Sequence, residues 1–189
     1  MTQRILLHIC CAVCLPGPLR FLQEQGFEVT GYFHNPNIHP LLEFRKRMKA
    51  LKVLNERLKI PVVYDTEYGL VKYLNMLDGE YGPARCVLCY RERLTATAQY
   101  AKANDFEAFT STLLVSHEQD HALLLEIGRE AASATGVAFV EADMRPVRDE
   151  GKEIARKVGI YRQQYCGCIF SERDRYENTG QELYKGGGE

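Results

Sequence analysis

The chain predicts an α/β fold: a mainly parallel sheet, doubly wound, with helices on both faces in three layers. Short apolar runs alternate with helical periodicities along nearly the whole length, and each interval leaves room for a crossover helix. The third observation is size. At 189 residues, 46% hydrophobic and 26% charged, the chain can bury one core, and two full domains would be cramped. A single domain over residues 1–180 is expected, with a frayed tail at 181–189.

The elements follow in order. Ile5 to Ile9 is an apolar strand that runs directly into cysteines, and the pattern from Leu19 to Gln25, after Pro16 and Pro18, is helical. Gly26 closes that helix. Phe27 to Phe33 alternates as a second strand and ends in the turn-forming segment His34-Asn35-Pro36-Asn37-Ile38-His39-Pro40. Leu41 to Leu58 is strongly helical, Pro61 to Asp65 is a strand, and Leu70 to Leu77 is a short helix before a Gly- and Pro-containing turn at 78–83. A helix from Cys86 to Asn104, a strand from Phe106 to Leu114, a helix from Glu118 to Thr135 and a strand from Val137 to Val140 complete the alternation. Lys152 to Val158 is helical. In such a sheet, functional loops gather at the carboxyl ends of the strands, where Cys10, the Asn-Pro-Asn turn, Ser111 to Ser116 and Asp143 would lie.

No uncharged apolar stretch reaches ten residues, against the roughly 18 that a membrane span needs, and the start lacks a signal-peptide layout. A cytoplasmic chain with no membrane contact is expected. Lys and Arg number 24 against 25 Asp and Glu, so overall charge does not argue for nucleic acid and any basic surface must be local.

The seven cysteines form three tight groups: Cys10, Cys11 and Cys14; Cys86 and Cys89; Cys166 and Cys168. An odd count without a signal peptide disfavours a disulfide scaffold, and grouped reduced thiols bind metal. Two of the groups open helices, where the amino-terminal dipole favours thiolate. Zinc closes with four ligands and leaves three thiols unused, so the count leans toward iron. Gly167 lets both sulfurs of Cys166-Gly-Cys168 turn toward one centre. Thiol exchange at Cys11 and Cys14 is the metal-free alternative, and it gives the other groups no role.

Five segments in order resemble the QueH-type epoxyqueuosine reductases: Leu7 to Cys14, Tyr32 to Ile38, Cys86 to Leu94, Ser111 to Leu114, and Tyr161 to Ser171. The likeness spans about residues 5 to 171 and takes in every cysteine, with Val13, Met144 and Pro146 departing from the family pattern. It implies a fold similar to the adenine nucleotide alpha-hydrolase (HUP-like) group. The first loop lacks the glycines of a pyrophosphate cradle, so nucleotide activation looks lost.

The resemblance further implies reduction of epoxyqueuosine to queuosine at the wobble position of tRNA, with an iron-sulfur cluster and electrons from a donor that the sequence does not identify. The expected assignment gives Cys10, Cys11, Cys86 and Cys89 to a 4Fe-4S cluster and Cys14, Cys166 and Cys168 to a second adjacent iron. Tyr165 and His34 are the candidate proton donors. Contacts to the anticodon stem-loop are expected from Tyr32, Asn35, Asn37, Arg47, Tyr90, Arg91, Arg93, Asp143, Arg145 and Arg162. Two rivals remain: a tRNA sulfurtransferase of the same fold, which would need ATP, and a noncatalytic zinc-stabilised RNA-binding module, which would be colourless.

Overall fold

The computed structural model describes residues 2–180, so the tail at 181–189 lies outside the described residues. Five strands form one sheet: β1 (Gln3–His8), β2 (Phe27–Phe33), β3 (Val62–Tyr64), β4 (Ala108–Ser111) and β5 (Ala138–Phe139). Their order is β3-β2-β1-β4-β5, and every pairing is parallel. Leu7 sits opposite Gly31 on one side and Thr110 on the other, which fixes the register of the three central strands. The order reverses between β1 and β4, and it is at such a switch point that open α/β sheets place their sites.

The crossovers are α1 (Pro16–Glu24), α2 (Leu41–Leu58), α3 (Leu70–Leu77), α4 (Arg85–Ala103) and α5 (His121–Thr135), followed by α6 (Arg148–Val158) and α7 (Ile169–Tyr176). Neighbouring β1 residues face opposite sides of the sheet. Leu6 packs with Phe109, Ala98, Ala101 and Ala131, whereas Ile5 and Leu7 join Leu19, Leu22, Leu51 and Leu54. Helices therefore cover both faces, as the alternation predicts.

Several boundaries differ from expectation by two to four residues, among them helices that begin at Pro16 and His121 rather than Leu19 and Glu118, and two of the differences shape the site. The strand predicted to Leu114 stops at Ser111, whose hydroxyl accepts from Leu113 N at 3.1 Å and turns the chain into a 3-10 segment, Thr112–Val115. The last predicted helix begins four residues early, at Arg148, directly after a 3-10 turn at Arg145–Val147. Helix α7 was not foreseen, because it buries no residue fully and so carries no clean apolar stripe.

Candidate functional site

At the end of β1 the backbone at Cys11 is extended and then enters a 3-10 turn, Ala12–Cys14. That turn cannot drift, because α6 lies against it. A Cβ on Gly151 would stand 1.8 Å from the Val13 carbonyl oxygen, so only glycine admits this approach. From the neighbouring strand end, the Thr112 hydroxyl accepts from Cys10 N at 3.0 Å and reaches Cys10 Sγ at 3.2 Å.

The sulfurs of Cys10, Cys11 and Cys14 all lie within 4.8 Å of one another. Cys10 and Cys11 Sγ are 3.8 Å apart and Cys11 and Cys14 Sγ 2.8 Å. Four ligands about 2.3 Å from a tetrahedral ion stand about 3.8 Å from each other; Cys10 and Cys11 match that spacing, Cys14 would have to swing away from Cys11 to reach it, and the three thiols together can hold one metal. Gln163 Nε2 donates to Cys11 Sγ at 2.9 Å. The Cys10 thiol is held well below the ordinary thiol range, mainly by hydrogen bonds from Cys11 and Cys14 and also by Arg93 and Thr112, against burial. Cys10 is thus the thiol of the triad most readily ionised.

The other four cysteines face the same cavity, of about 500 Å³, which Cys10 and Cys14 also line. Cys86 and Cys89 come from the first turn of α4, and Cys166 and Cys168 flank Gly167. Gly167 has φ +128°, and a Cβ there would meet Ile38 and Arg47 at 3.0 and 3.1 Å, so the expected glycine requirement is physical. Cys89 and Cys168 are buried in one cluster with Tyr73 and Leu77. These four sulfurs form no group as compact as the Cys10 triad. Wider spacing suits thiolates that each bind a different iron of a cluster.

Three buried arginines surround the thiols: Arg47, Arg85 and Arg93, 2%, 7% and 1% exposed. Arg47 pairs with Glu43 at 2.7 Å and donates to the carbonyls of Cys166 and Tyr165, which fixes the Cys166-Gly167 backbone. Arg85 pairs with Asp174 and binds the carbonyls of Tyr81 and Gly82. Among the described residues, Tyr73 Oη, Arg85 Nε and Arg93 Nη1 are buried donors without a partner. Tyr73 and Arg85 line the thiol cavity, and Arg93 stands one helical turn beyond Cys89. Unanswered donors around a thiol-lined space fit an electron-rich group such as a thiolate-bound metal.

The structure brings Arg47, Tyr90, Arg162 and Tyr165 to this cavity. It does not bring the remaining expected substrate contacts there. Tyr32 is stacked between His34 and Tyr100. Asn35 uses both amide atoms internally, donating to Ile9 O and accepting from Arg93. Asn37 is buried, Arg91 pairs with Glu130, and Asp143 pairs with Arg145. Of the two candidate proton donors, His34 lies against Asp65 at 2.7 Å, away from the cavity, and the Tyr165 hydroxyl is committed to His39 O. Sequence reading passed over Tyr73, Thr112, Gln119, Gln163, Arg85 and the rim cations Arg148, Lys152 and Arg175 as site residues. Arg85 and Gln163 sit within three residues of a cysteine, and that adjacency was the available signal.

A family model described as "Epoxyqueuosine reductase QueH" matches residues 5–174, which takes in all three cysteine groups. The chain belongs to the epoxyqueuosine reductase QueH family. It is 36% identical to the epoxyqueuosine reductase QueH of Dehalococcoides mccartyi over 176 residues, covering 93% of this chain and 96% of that protein. The QueH of Thermotoga maritima is 34% identical, with 97% of each chain covered. A third relative, from Histophilus somni, is 33% identical over 91% of this chain and 73% of its own. In this QueH chain the Cys10-Cys11-Cys14 triad can hold a metal, and no helix among the described residues is long and apolar enough to cross a membrane.

Proposed function

We propose that this protein reduces epoxyqueuosine at the wobble position of tRNA to queuosine, working as one catalytic unit over residues 1–180. Family membership over most of the chain supports the reaction. For the site, the observation that carries the reading is the presence of two differently spaced thiol sets facing one cavity. The compact set, Cys10, Cys11 and Cys14, would hold a single iron with one position open. The wider set, Cys86, Cys89, Cys166 and Cys168, would hold a 4Fe-4S cluster. This division is favoured over the one expected from sequence, because Cys10 and Cys11 sit with Cys14 rather than with the α4 pair.

Converting the epoxide to an alkene takes up two electrons and two protons and releases the oxygen as water. Bound iron and cluster would supply one-electron transfer and Lewis acidity beside that oxygen. The chain's own groups bind and orient. Tyr73 offers the cavity a hydroxyl that burial keeps protonated, since its pKa is pushed up by loss of water. Gln119 and Gln163 present side-chain amides beside Cys166 and Cys11. Tyr90 and Tyr165 are buried in the cavity wall, and Arg148, Arg162 and Arg175 at the rim, with no ion-pair partner among the described residues, suit flanking phosphates. The electrons come from an external one-electron donor.

The test is direct. Anaerobically purified protein, given a one-electron reductant and tRNA carrying epoxyqueuosine, should yield queuosine, read as loss of one oxygen by mass spectrometry of the digested tRNA. Unchanged substrate under these conditions, with iron present in the protein, would overturn the reading.

A further inference from the structure

Arg93 is buried to 1% exposure, and no carboxylate of the described residues forms an ion pair with it. Its two buried counterparts both have one, Glu43 for Arg47 and Asp174 for Arg85. Arg93 Nη2 donates to Asn35 Oδ1 at 2.8 Å, Nη1 has no partner, and Nε lies 3.3 Å from His8 Nε2. That last contact is weak. The His34 carbonyl, 3.0 Å from His8 Nε2, can only accept, which calls for the Nε2-H tautomer, and the Ser111 hydroxyl then donates to His8 Nδ1 at 2.8 Å. In that tautomer His8 has no lone pair for Arg93.

A guanidinium buried without an anion is costly, and such a charge persists only where an opposite charge answers it. The groups nearby that become anionic once a metal takes their protons are sulfurs: Cys89 lies one turn back on the same face of α4, and Cys10 belongs to the triad beside His8, the residue that Arg93 Nε approaches.

We infer that Arg93 is the internal counter-ion of the thiol site, a positioning residue whose fixed charge sets how readily iron held there is reduced. The inference rests on the iron-sulfur reading above. Reduction adds one electron, taken from the external donor, and so adds one negative charge to the site. A fixed cation inside the protein stabilises the reduced form more than the oxidised one and raises the reduction potential.

The experiment is an anaerobic redox titration of the full chain, followed by visible and electron paramagnetic resonance spectra, on wild type, Arg93→Met, Arg93→Lys and Asn35→Asp. The last variant leaves the guanidinium in place and sets a carboxylate against it. Neutralisation by either route should make the site at least about tenfold harder to reduce, 59 mV for a one-electron couple, while Arg93→Lys stays within about threefold. A role limited to holding Asn35 in place would instead leave the potential of Asn35→Asp unmoved, whatever that variant loses in stability with the Asn35 bond to Ile9 O, and that result overturns the inference. So would Arg93→Lys shifting as far as Arg93→Met. If Arg93→Met does not fold, Asn35→Asp decides alone. A wild-type chain that binds no iron would sink the iron-sulfur reading itself, whereas iron-bearing proteins with equal potentials would sink only the role of Arg93.

Discussion

Gln163 Nε2 lies 2.9 Å from Cys11 Sγ, although 152 residues separate the two in the chain. The contact ties the segment leading into Cys166 to the loop after β1, so one amide couples two of the three cysteine groups. An outer hydrogen bond of this kind orients a ligand and tunes the metal. Replacing Gln163 with Leu should weaken metal retention at the triad by about 10- to 100-fold, with the fold intact. Chelator competition on anaerobic protein measures this, and retention equal to wild type would contradict the coupling.

Gly151→Ala should destabilise the protein by about 1–3 kcal/mol or more, because the new methyl meets the Val13 carbonyl rather than a yielding side chain. The displaced turn carries Cys14, so metal uptake should fall as well. Gly159→Ala is the control: its φ of +69° is strained, but nothing lies within 4 Å, and metal uptake should be unchanged. Urea unfolding of the two variants separates the effects.

Most of the fold was legible because strands buried on both faces read as apolar runs and the crossover helices are long. The grouping of the cysteines was legible from their spacing, and six of them line one cavity. Their partition was not, since sequence cannot say that Cys10, Cys11 and Cys14 turn toward each other within 4.8 Å. Asn35 and Arg93 looked like substrate contacts because they lie within two of the family-like segments, in a strand-end turn and just after a cysteine pair; both point inward and bind each other. The rim cations escaped notice because Arg148, Lys152 and Arg175 reach the cavity only through the packing of α6 and the placement of α7.

RNA binding should depend on that rim. Arg148→Ala and Arg162→Ala should each lower the slope of log affinity against log salt by about one for an anticodon stem-loop. Arg91→Ala and Arg145→Ala, whose charges are answered by Glu130 and Asp143, should leave the slope unchanged. Filter binding across a salt series decides it. Equal slopes in all four variants would place the RNA elsewhere.

The Glu92 carboxyl is held down at about 2, first by His34 and then by Lys72, in spite of partial burial. A carboxylate whose folded pKa is depressed contributes stability above its unfolded pKa, about 4.3, and loses it as pH falls toward the folded value. Wild type should therefore be more stable than Glu92→Gln at pH 6–8, and the gap should narrow between about pH 4.5 and 2. Thermal unfolding over that range checks the sign, and a gap that widens on acidification would contradict it.

The two-site account is tested most directly by anaerobic iron and acid-labile sulfide counts, taken with the visible spectrum, on wild type, Cys14→Ser and Cys86→Ser. Wild type should be brown, with about five iron and about four sulfide per chain. Cys14→Ser should lose about one iron and keep its sulfide and colour, whereas Cys86→Ser should lose sulfide and colour together. A colourless wild type holding zinc, or a Cys14→Ser protein stripped of all its sulfide, would contradict the account.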